Sequence, residues 1–204
     1  MAAGATARDG IPFVGLTGGI GAGKSVALEA LDRMGAATLS TDAVVHEILT
    51  SEEAGRDLTE RLGPEVASSG RVDRDAVANV VFKDPDARTW LERYLWPKVG
   101  ERVAAWRAEL GSLEPAPRAA VVEVPLLFES GMDAVFDHTI AVVADDDLRA
   151  DRIGVRGHTG VASRESRQLD QSEKAERADF QVRNDGTLEE LERELADVLA
   201  RMGA

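Results

Sequence analysis

Ile11-Pro-Phe-Val-Gly-Leu-Thr-Gly-Gly-Ile-Gly-Ala-Gly-Lys-Ser25 decides the reading of this chain. Its last eight residues, Gly18 to Ser25, satisfy G-x-x-x-x-G-K-[ST], the Walker A pattern. The context is also right. Residues 11–16 are a short apolar run that reads as a buried strand. Residues 25–34 place apolar side chains at 28, 31 and 34, a helical spacing, and Gly35 is a C-cap candidate. Each part of the loop has a chemical task. Glycines let the backbone take positive φ and bring N–H groups against phosphate oxygens. The helix N-terminus adds a dipole that favours an anion. Lys24 is placed to reach the β- and γ-phosphates of a nucleotide, and the Ser25 hydroxyl to ligate magnesium. A dinucleotide fingerprint would need a third glycine where Lys24 stands, so hydride transfer is not the chemistry here.

Outward from this loop the chain alternates strand and helix at both ends. Ala37-Thr-Leu-Ser40 reads as a strand, followed by a helix from Asp42. Three helical stretches follow, Ala54 to Leu62, Asp73 to Phe82 and Pro85 to Leu110, the last with a kink expected at Pro97. Residues 111–118 form a loop. Residues 119–124 and 139–144 are apolar on both faces, as strands of a covered parallel sheet are. A helix from Asp145 to about Arg156, a break at residues 157–160, a helix from Ser163 to Ala178, a strand at residues 180–183 and a helix at residues 188–202 complete the pattern. This order predicts an open parallel α/β sheet with a helical insert.

Composition narrows the function. The chain has 204 residues, no cysteine and a formal net charge of −13. That length suits one folding unit with an insertion. Without cysteine there are no disulfides, thiolate zinc sites, iron–sulfur clusters or thiol catalysis. His46, His138 and His158 are too scattered for a metal cage. An acidic chain with pI near 4.7 does not coat nucleic acid or an anionic membrane. Residues 1–10 read as a disordered leader, and no stretch has the ~20 apolar residues of a membrane span. The expectation is a cytoplasmic protein, a monomer or weak homo-oligomer, without nucleic-acid or membrane partners. Of the four lysines (24, 83, 98 and 174), Lys24 is the one in a glycine-rich setting and the one given a sharp role.

A nucleotide site leaves the acceptor open. A motor or switch would show an apolar strand ending in Asp; here the strand carries Glu123 and runs into Pro125, and no N-K-x-D base-reading motif occurs. A small-molecule kinase fits better. Asp42, just past the second strand, is either an N-cap or a carboxylate of the site.

The chain resembles the dephospho-CoA kinase family from Phe13 to about Leu199. The resemblance rests on Gly15 to Ser25 as that family's loop, on Val124-Pro-Leu-Leu-Phe-Glu-Ser-Gly131, and on Arg152-Ile-Gly-Val-Arg156. Arg164 and Gln168 fit its R-x-x-x-Q, and Ala178-Asp179 and Asn184-Asp-Gly186 resemble its closing elements. The resemblance implies transfer of the ATP γ-phosphoryl group to the ribose 3′-hydroxyl of dephospho-CoA. It implies a P-loop kinase fold: a five-stranded parallel core (residues 11–42, 118–150 and 178–204), a helical CoA-binding insert (about 43–117) and a lid (about 151–177).

It further implies site residues. Asp42 would be the base, and Lys24, Arg152 and Arg156 would act on the phosphates. ATP would meet Gly18, Gly21, Ala22, Gly23, Lys24, Ser25, Val26, Arg152, Arg156, Asn184 and Gly186. The acceptor would meet Thr17, Asp42, His46, Pro125, Leu126, Leu127, Phe128 and Glu129. Magnesium would take Ser25, with Asp42 through water; Glu123 and Glu129 are further candidates for its water shell. Arg152 and Arg156 lie one turn apart and share a helix face, where ion pairs with the neighbouring aspartates are the alternative to a phosphate clamp. Trp90, Trp96 and Trp106 read as core or interface.

Three positions depart from the family pattern. Ser40 stands where the family usually has Asp, His46 where it has Arg, and Trp96 where it has His. All three lie on the acceptor side. Arg71, Arg74 and Lys98 are candidate replacements for the missing guanidinium. Two alternatives stay open: a kinase for another nucleoside or small molecule, and a non-catalytic nucleotide-binding relative.

Overall fold

The computed structural model describes residues 10–68, 71–155 and 168–203. Arg156, Arg164, the break at residues 157–160 and most of the leader lie outside them.

The chain forms two compact units: Met1–Ser40 with Arg107–Ala204, and Thr41–Trp106. In the first, five strands form one parallel sheet. They are β1 (Phe13–Gly18), β2 (Ala37–Ser40), β5 (Ala120–Glu123), β6 (His138–Val143) and β7 (Phe180–Arg183), in the order β2-β5-β1-β6-β7. β1 is central. It pairs Val14 with Val121 on one side and Leu16 with Ile140 on the other. Because every strand points the same way, every carboxyl end lies along one edge, where α/β proteins bind ligands.

Both faces are covered, which is why these strands read as unbroken apolar runs. On one face Val14, Leu16, Val121, Ile140, Val142 and Val182 pack against α1 (Lys24–Arg33) and α8 (Leu188–Met202). α8 has a clear start: Thr187 and Glu190 form a capping box. On the other face Gly15 lets Phe136 and Leu127 come close; a Cβ there would lie 2.9 Å and 3.1 Å from them. Phe136 packs on Phe13 with the rings tilted by 33° and centroids 4.5 Å apart, and the Arg107 guanidinium covers Phe13 at 4.1 Å.

The second unit holds α2 (Thr41–Leu49), α3 (Glu52–Leu62), α4 (Arg74–Lys83) and most of α5 (Pro85–Leu110), with a two-residue hairpin of β3 (Ala67–Ser68) and β4 (Arg71–Val72). Its own core joins Leu49, Leu58, Leu62, Val66, Val77 and Leu95. Ser51 and Asp73 cap α3 and α4 by accepting backbone N–H bonds. Trp90 stacks on Tyr94 with centroids 5.3 Å apart, whereas Trp96 is 49% exposed. The strands β3 and β4 are too short to show periodicity, and the sequence reading did not find them.

Tyr94 is the only tyrosine. Burial, with the Asp57 carboxylate adding to it, pushes its phenol from 10.0 up to about 12. A raised folded value means the stability it contributes is present below pH 10.0 and is lost as pH rises towards about 12. The expected ultraviolet titration of the native protein has its phenolate midpoint near 12. A native midpoint at the ordinary tyrosine value would contradict the burial.

Two elements differ from expectation. α2 begins at Thr41, so Asp42 sits inside the first turn and is not the N-cap; it acts there as a first-turn acid. The helix expected from Ser163 to Ala178 does not include Gln168, Leu169 or Asp170, which are non-helical. α7 (Gln171–Arg177) starts after them, because the Asp170 side chain accepts the Glu173 N–H and Glu173 returns to the Asp170 N–H. α6 (Asp146–Val155) precedes the undescribed segment.

Candidate active site

The loop after β1 is built so that its carbonyls are held from outside. Lys24 Nζ donates to Gly18 O and Gly19 O, both at 3.1 Å. Arg149 Nε donates to Ile20 O at 2.9 Å, and Arg152 Nη1 to Gly21 O at 3.4 Å. Asn184 Nδ2 donates to Ala22 O at 2.9 Å. Five consecutive carbonyls are thus anchored. In a trans peptide the next N–H points opposite its carbonyl. Holding the carbonyls therefore also fixes the amides of residues 19, 20, 21 and 23, as an anion nest requires, while the Ala22 N–H donates to Gly19 O at 3.2 Å.

The donors come from the carboxyl edge of the sheet. Arg149 and Arg152, three residues apart, share one face of α6. Asn184 follows β7; it is buried, its N–H donates to Val143 O, and its carbonyl accepts Arg152 Nη2 at 2.9 Å. Gly186, two residues on, leads into Thr187, the cap of α8. Asn184 and Arg152 were expected beside the nucleotide; here they shape the loop. Ala22 is fully buried in the sheet core and Val26 packs against that core. Ser25 is exposed in the first turn of α1, which has Gly23 as its N-cap and no side-chain cap.

Gly23 has φ 91°, and a Cβ there would collide with the Asn184 amide. Gly23→Ala should therefore cost about 1–2 kcal/mol for the left-handed backbone and displace Asn184 from Ala22. The expected outcome is ATP affinity weakened by about tenfold or more, with Tm lowered by roughly 2–8 °C. Calorimetric titration and a melt measure both; unchanged ATP affinity would show that this anchoring is dispensable.

Sequence reading missed Arg149. Its guanidinium lies against Gly19, where a Cβ would stand 3.2 Å from Nη2, and it also pairs with Asp146 at 2.7 Å. The available signal was the i, i+3 spacing to Arg152 on an expected helix.

The turn after β5 carries the residues expected to meet the acceptor. Pro125 and Leu126 are half-buried. Leu127 is 0% exposed and Phe128 is buried. Leu127 fills the space that Gly15 leaves, so it belongs to the sheet core and does not present a ligand surface. Thr17, also fully buried, donates its hydroxyl to Pro125 O at 3.4 Å. Glu129 does not stand clear as a magnesium-shell acid: its Oε1 pairs with Lys174 Nζ at 3.0 Å and accepts the Leu169 N–H at 2.8 Å. Glu123 is buried at the carboxyl end of β5.

Lys174 was the second omission. It is 0% exposed, and its ammonium also donates to Pro125 O. Burial holds it below the ordinary lysine value, and Glu129 partly offsets this. Nothing in a lone surface-like lysine on a short polar helix marks it as buried.

In the second unit Asp42 is exposed. His46 Nδ1 lies 3.2 Å from Arg74 Nη1, while Lys98 is committed to Glu53 at 2.8 Å. Of the three candidates to stand in near His46, Arg74 is the one beside it. Among the described residues no group of three or more His, Cys, Asp or Glu is arranged to hold a metal.

The family model described as dephospho-CoA kinase matches residues 12–190. The chain is 35% identical over 190 residues to a dephospho-CoA kinase of Protochlamydia amoebophila, covering 91% of this chain and 93% of that one. It is 36% identical over 193 residues to that of Thermus thermophilus, covering 93% and 91%. A crystal structure of a Thermus thermophilus protein superposes with a TM-score of 0.79 at 35% identity, covering 94% of this chain and 98% of that one.

Proposed function

We propose that this chain, a member of the dephospho-CoA kinase family, transfers the ATP γ-phosphoryl group to the ribose 3′-hydroxyl of dephospho-CoA, giving CoA and ADP, and that its residues divide that work. The observation that carries the proposal is the anchoring of five successive loop carbonyls, Gly18 to Ala22, by Lys24, Arg149, Arg152 and Asn184. It supports a cradle held in shape for the ATP phosphates, with Arg149 on Ile20 O and Asn184 on Ala22 O still fixing the loop once Lys24 turns to the nucleotide.

In this reading Lys24 leaves its two carbonyls when ATP enters and balances charge on the β- and γ-phosphates. Arg152 and Arg156 act on the same phosphates from α6 and the segment after it, and Asn184 and Gly186 border the base. Asp42 accepts the proton of the ribose 3′-hydroxyl as its oxygen bonds to the γ-phosphorus and the bond to the ADP oxygen breaks. What supports Asp42 is its place two residues beyond β2 and its exposure. Pro125, Leu126 and Glu129 with Thr17, and His46 with Arg74, serve the acceptor; Leu127 and Phe128 back the turn. Core, insert and lid are taken as residues 11–42, 118–150 and 178–204, about 43–117, and about 151–177.

Magnesium suits the donor set: Ser25 offers an exposed hard oxygen in the first turn of α1, and such an ion needs few protein ligands when phosphates supply the rest. Ser25 would hold it, with Asp42 through water, and when bound it neutralises phosphate charge. Both substrates support a cytoplasmic enzyme, and no helix among the described residues is long and apolar enough to cross a membrane. A monomer or weak homo-oligomer suffices for this division of roles.

The test is coupled ADP release with ATP, magnesium and dephospho-CoA. Acceptor-dependent turnover is expected. ATP binding without such turnover would sink this reading in favour of another acceptor or a non-catalytic relative.

A further inference from the structure

We infer that Lys174 is a positioning residue for the acceptor, holding the turn 125–129 and α7 together as one rigid piece at the sheet edge. The inference rests on the reading of that turn as part of the acceptor site.

The lysine grips both ends of the turn. Its ammonium donates to Pro125 O at the start and pairs with Glu129 Oε1 at 3.0 Å at the end. Between these points stand Leu126, Leu127 and Phe128. Pro125 O also accepts from Thr17, the residue before the P-loop begins, so one carbonyl ties the turn to β1 and to α7. Glu129 Oε1 in turn accepts the Leu169 N–H, which fixes the chain entering α7. Its other oxygen, Oε2, is buried without a hydrogen-bond partner among the described residues.

α7 is itself fastened to the neighbouring strand end. Gln171 accepts the Ala144 N–H at 3.2 Å and donates to Ala144 O at 2.8 Å and to Asp146 at 3.0 Å. Three parallel neighbours, β5, β1 and β6, are therefore bridged at their carboxyl ends by one seven-residue helix. The bridge spans the strand that feeds the P-loop.

Packing alone does not account for a lysine here. A fully buried ammonium loses its water, and a buried ion pair replaced at both members by apolar side chains of similar volume is often no less stable. What the lysine supplies and a methionine does not is direction: N–H donors aimed at two fixed acceptors, Pro125 O and Glu129 Oε1. Losing them frees the turn to shift, and a small displacement of a binding group costs affinity for the ligand it orients.

The experiment compares wild type, Lys174→Met, Lys174→Arg and Lys174→Gln in steady-state assays with melting curves. For Lys174→Met we expect KM for dephospho-CoA to rise about tenfold. KM for ATP and kcat should stay within about twofold, while Tm falls, because the largely buried Glu129 carboxylate is left without its partner. Lys174→Arg, which keeps charge and donors, should recover most of the loss. Should Lys174→Met not fold, Lys174→Gln decides: it keeps an N–H donor and removes the charge, and the same selective rise in acceptor KM is expected. Unchanged acceptor KM, or a fall in Tm with both KM values rising together, would reduce Lys174 to a structural group and overturn the inference. A wild type that turns over while the variants keep its acceptor KM defeats the lysine alone. A wild type with no turnover on dephospho-CoA defeats the proposed function and the inference with it.

Discussion

Lys24→Ala should lower acceptor-dependent ADP release by about 10³-fold while leaving a folded protein. The ammonium donates to Gly18 O and Gly19 O at 3.1 Å. Those bonds hold it at the mouth of the nest, where an arriving phosphate outcompetes two neutral carbonyls for a full positive charge. The charge then matters most as negative charge gathers on the leaving oxygens. Stability should change far less than activity. Two hydrogen bonds on a half-buried loop are worth about 1–3 kcal/mol together, and the carbonyls they leave can turn to water. Single-turnover kinetics beside a melting curve separate the two effects. A variant retaining more than a tenth of wild-type kcat would remove Lys24 from the reaction. Lys24→Arg should also be poor, because a planar fork does not replace a compact ammonium beside two glycine carbonyls.

Asp42→Asn should lower kcat by about 10²–10⁴-fold with little change in KM for either substrate. Asparagine keeps the shape and loses the ability to take a proton from the acceptor hydroxyl. The side chain is exposed in the first turn of α2, so its structural share is a helix-dipole contribution of about 0.3–1 kcal/mol. That modest share is what makes the variant informative, since Tm should move by only a few degrees. A kcat within threefold of wild type would place the base elsewhere. Asp42→Ala with the same loss as Asp42→Asn would support proton transfer over hydrogen-bonded positioning.

Lys24 was legible in sequence because it sits inside a strong local motif, whereas Asp42 read equally as a cap and took the role of base only from the family resemblance. Gly18 to Ser25 is one continuous motif whose spacing is set by backbone chemistry within eight residues. Strand β7 and helix α8 were read to the residue, since Phe180–Arg183 and Leu188–Met202 have apolar periodicity, and Thr187 marks a start. α5 was also read whole, and it continues through Pro97. The errors have local causes too. Asp42 looked like a cap because it is an aspartate before an apolar helix, but the helix takes one residue more. Asp170 ends one reading and starts another, because its side chain bonds backbone three residues ahead. The second is a side chain bonding backbone N–H groups that the helix would otherwise leave unpaired, which spacing alone does not rank.

By itself the sequence determined that this is a parallel α/β protein with a phosphate-binding loop, and it marked Lys24 and Ser25. Those features depend on contacts within one turn or one strand, so their physics is written in adjacent residues. Only the tertiary structure decided what holds that loop in shape. Arg149 reaches Ile20 across 129 positions, Asn184 reaches Ala22 across 162, and Lys174 reaches Pro125 across 49. Leu127 became core for the same kind of reason: Gly15, on another strand, left room for it. The strand order β2-β5-β1-β6-β7 brings these segments to one edge, and a donor's partner is fixed by that order and not by its neighbours in the chain. The acidic surplus of the whole chain is consistent with two anionic substrates on the same ground, because the attraction is made locally by donors that folding gathers.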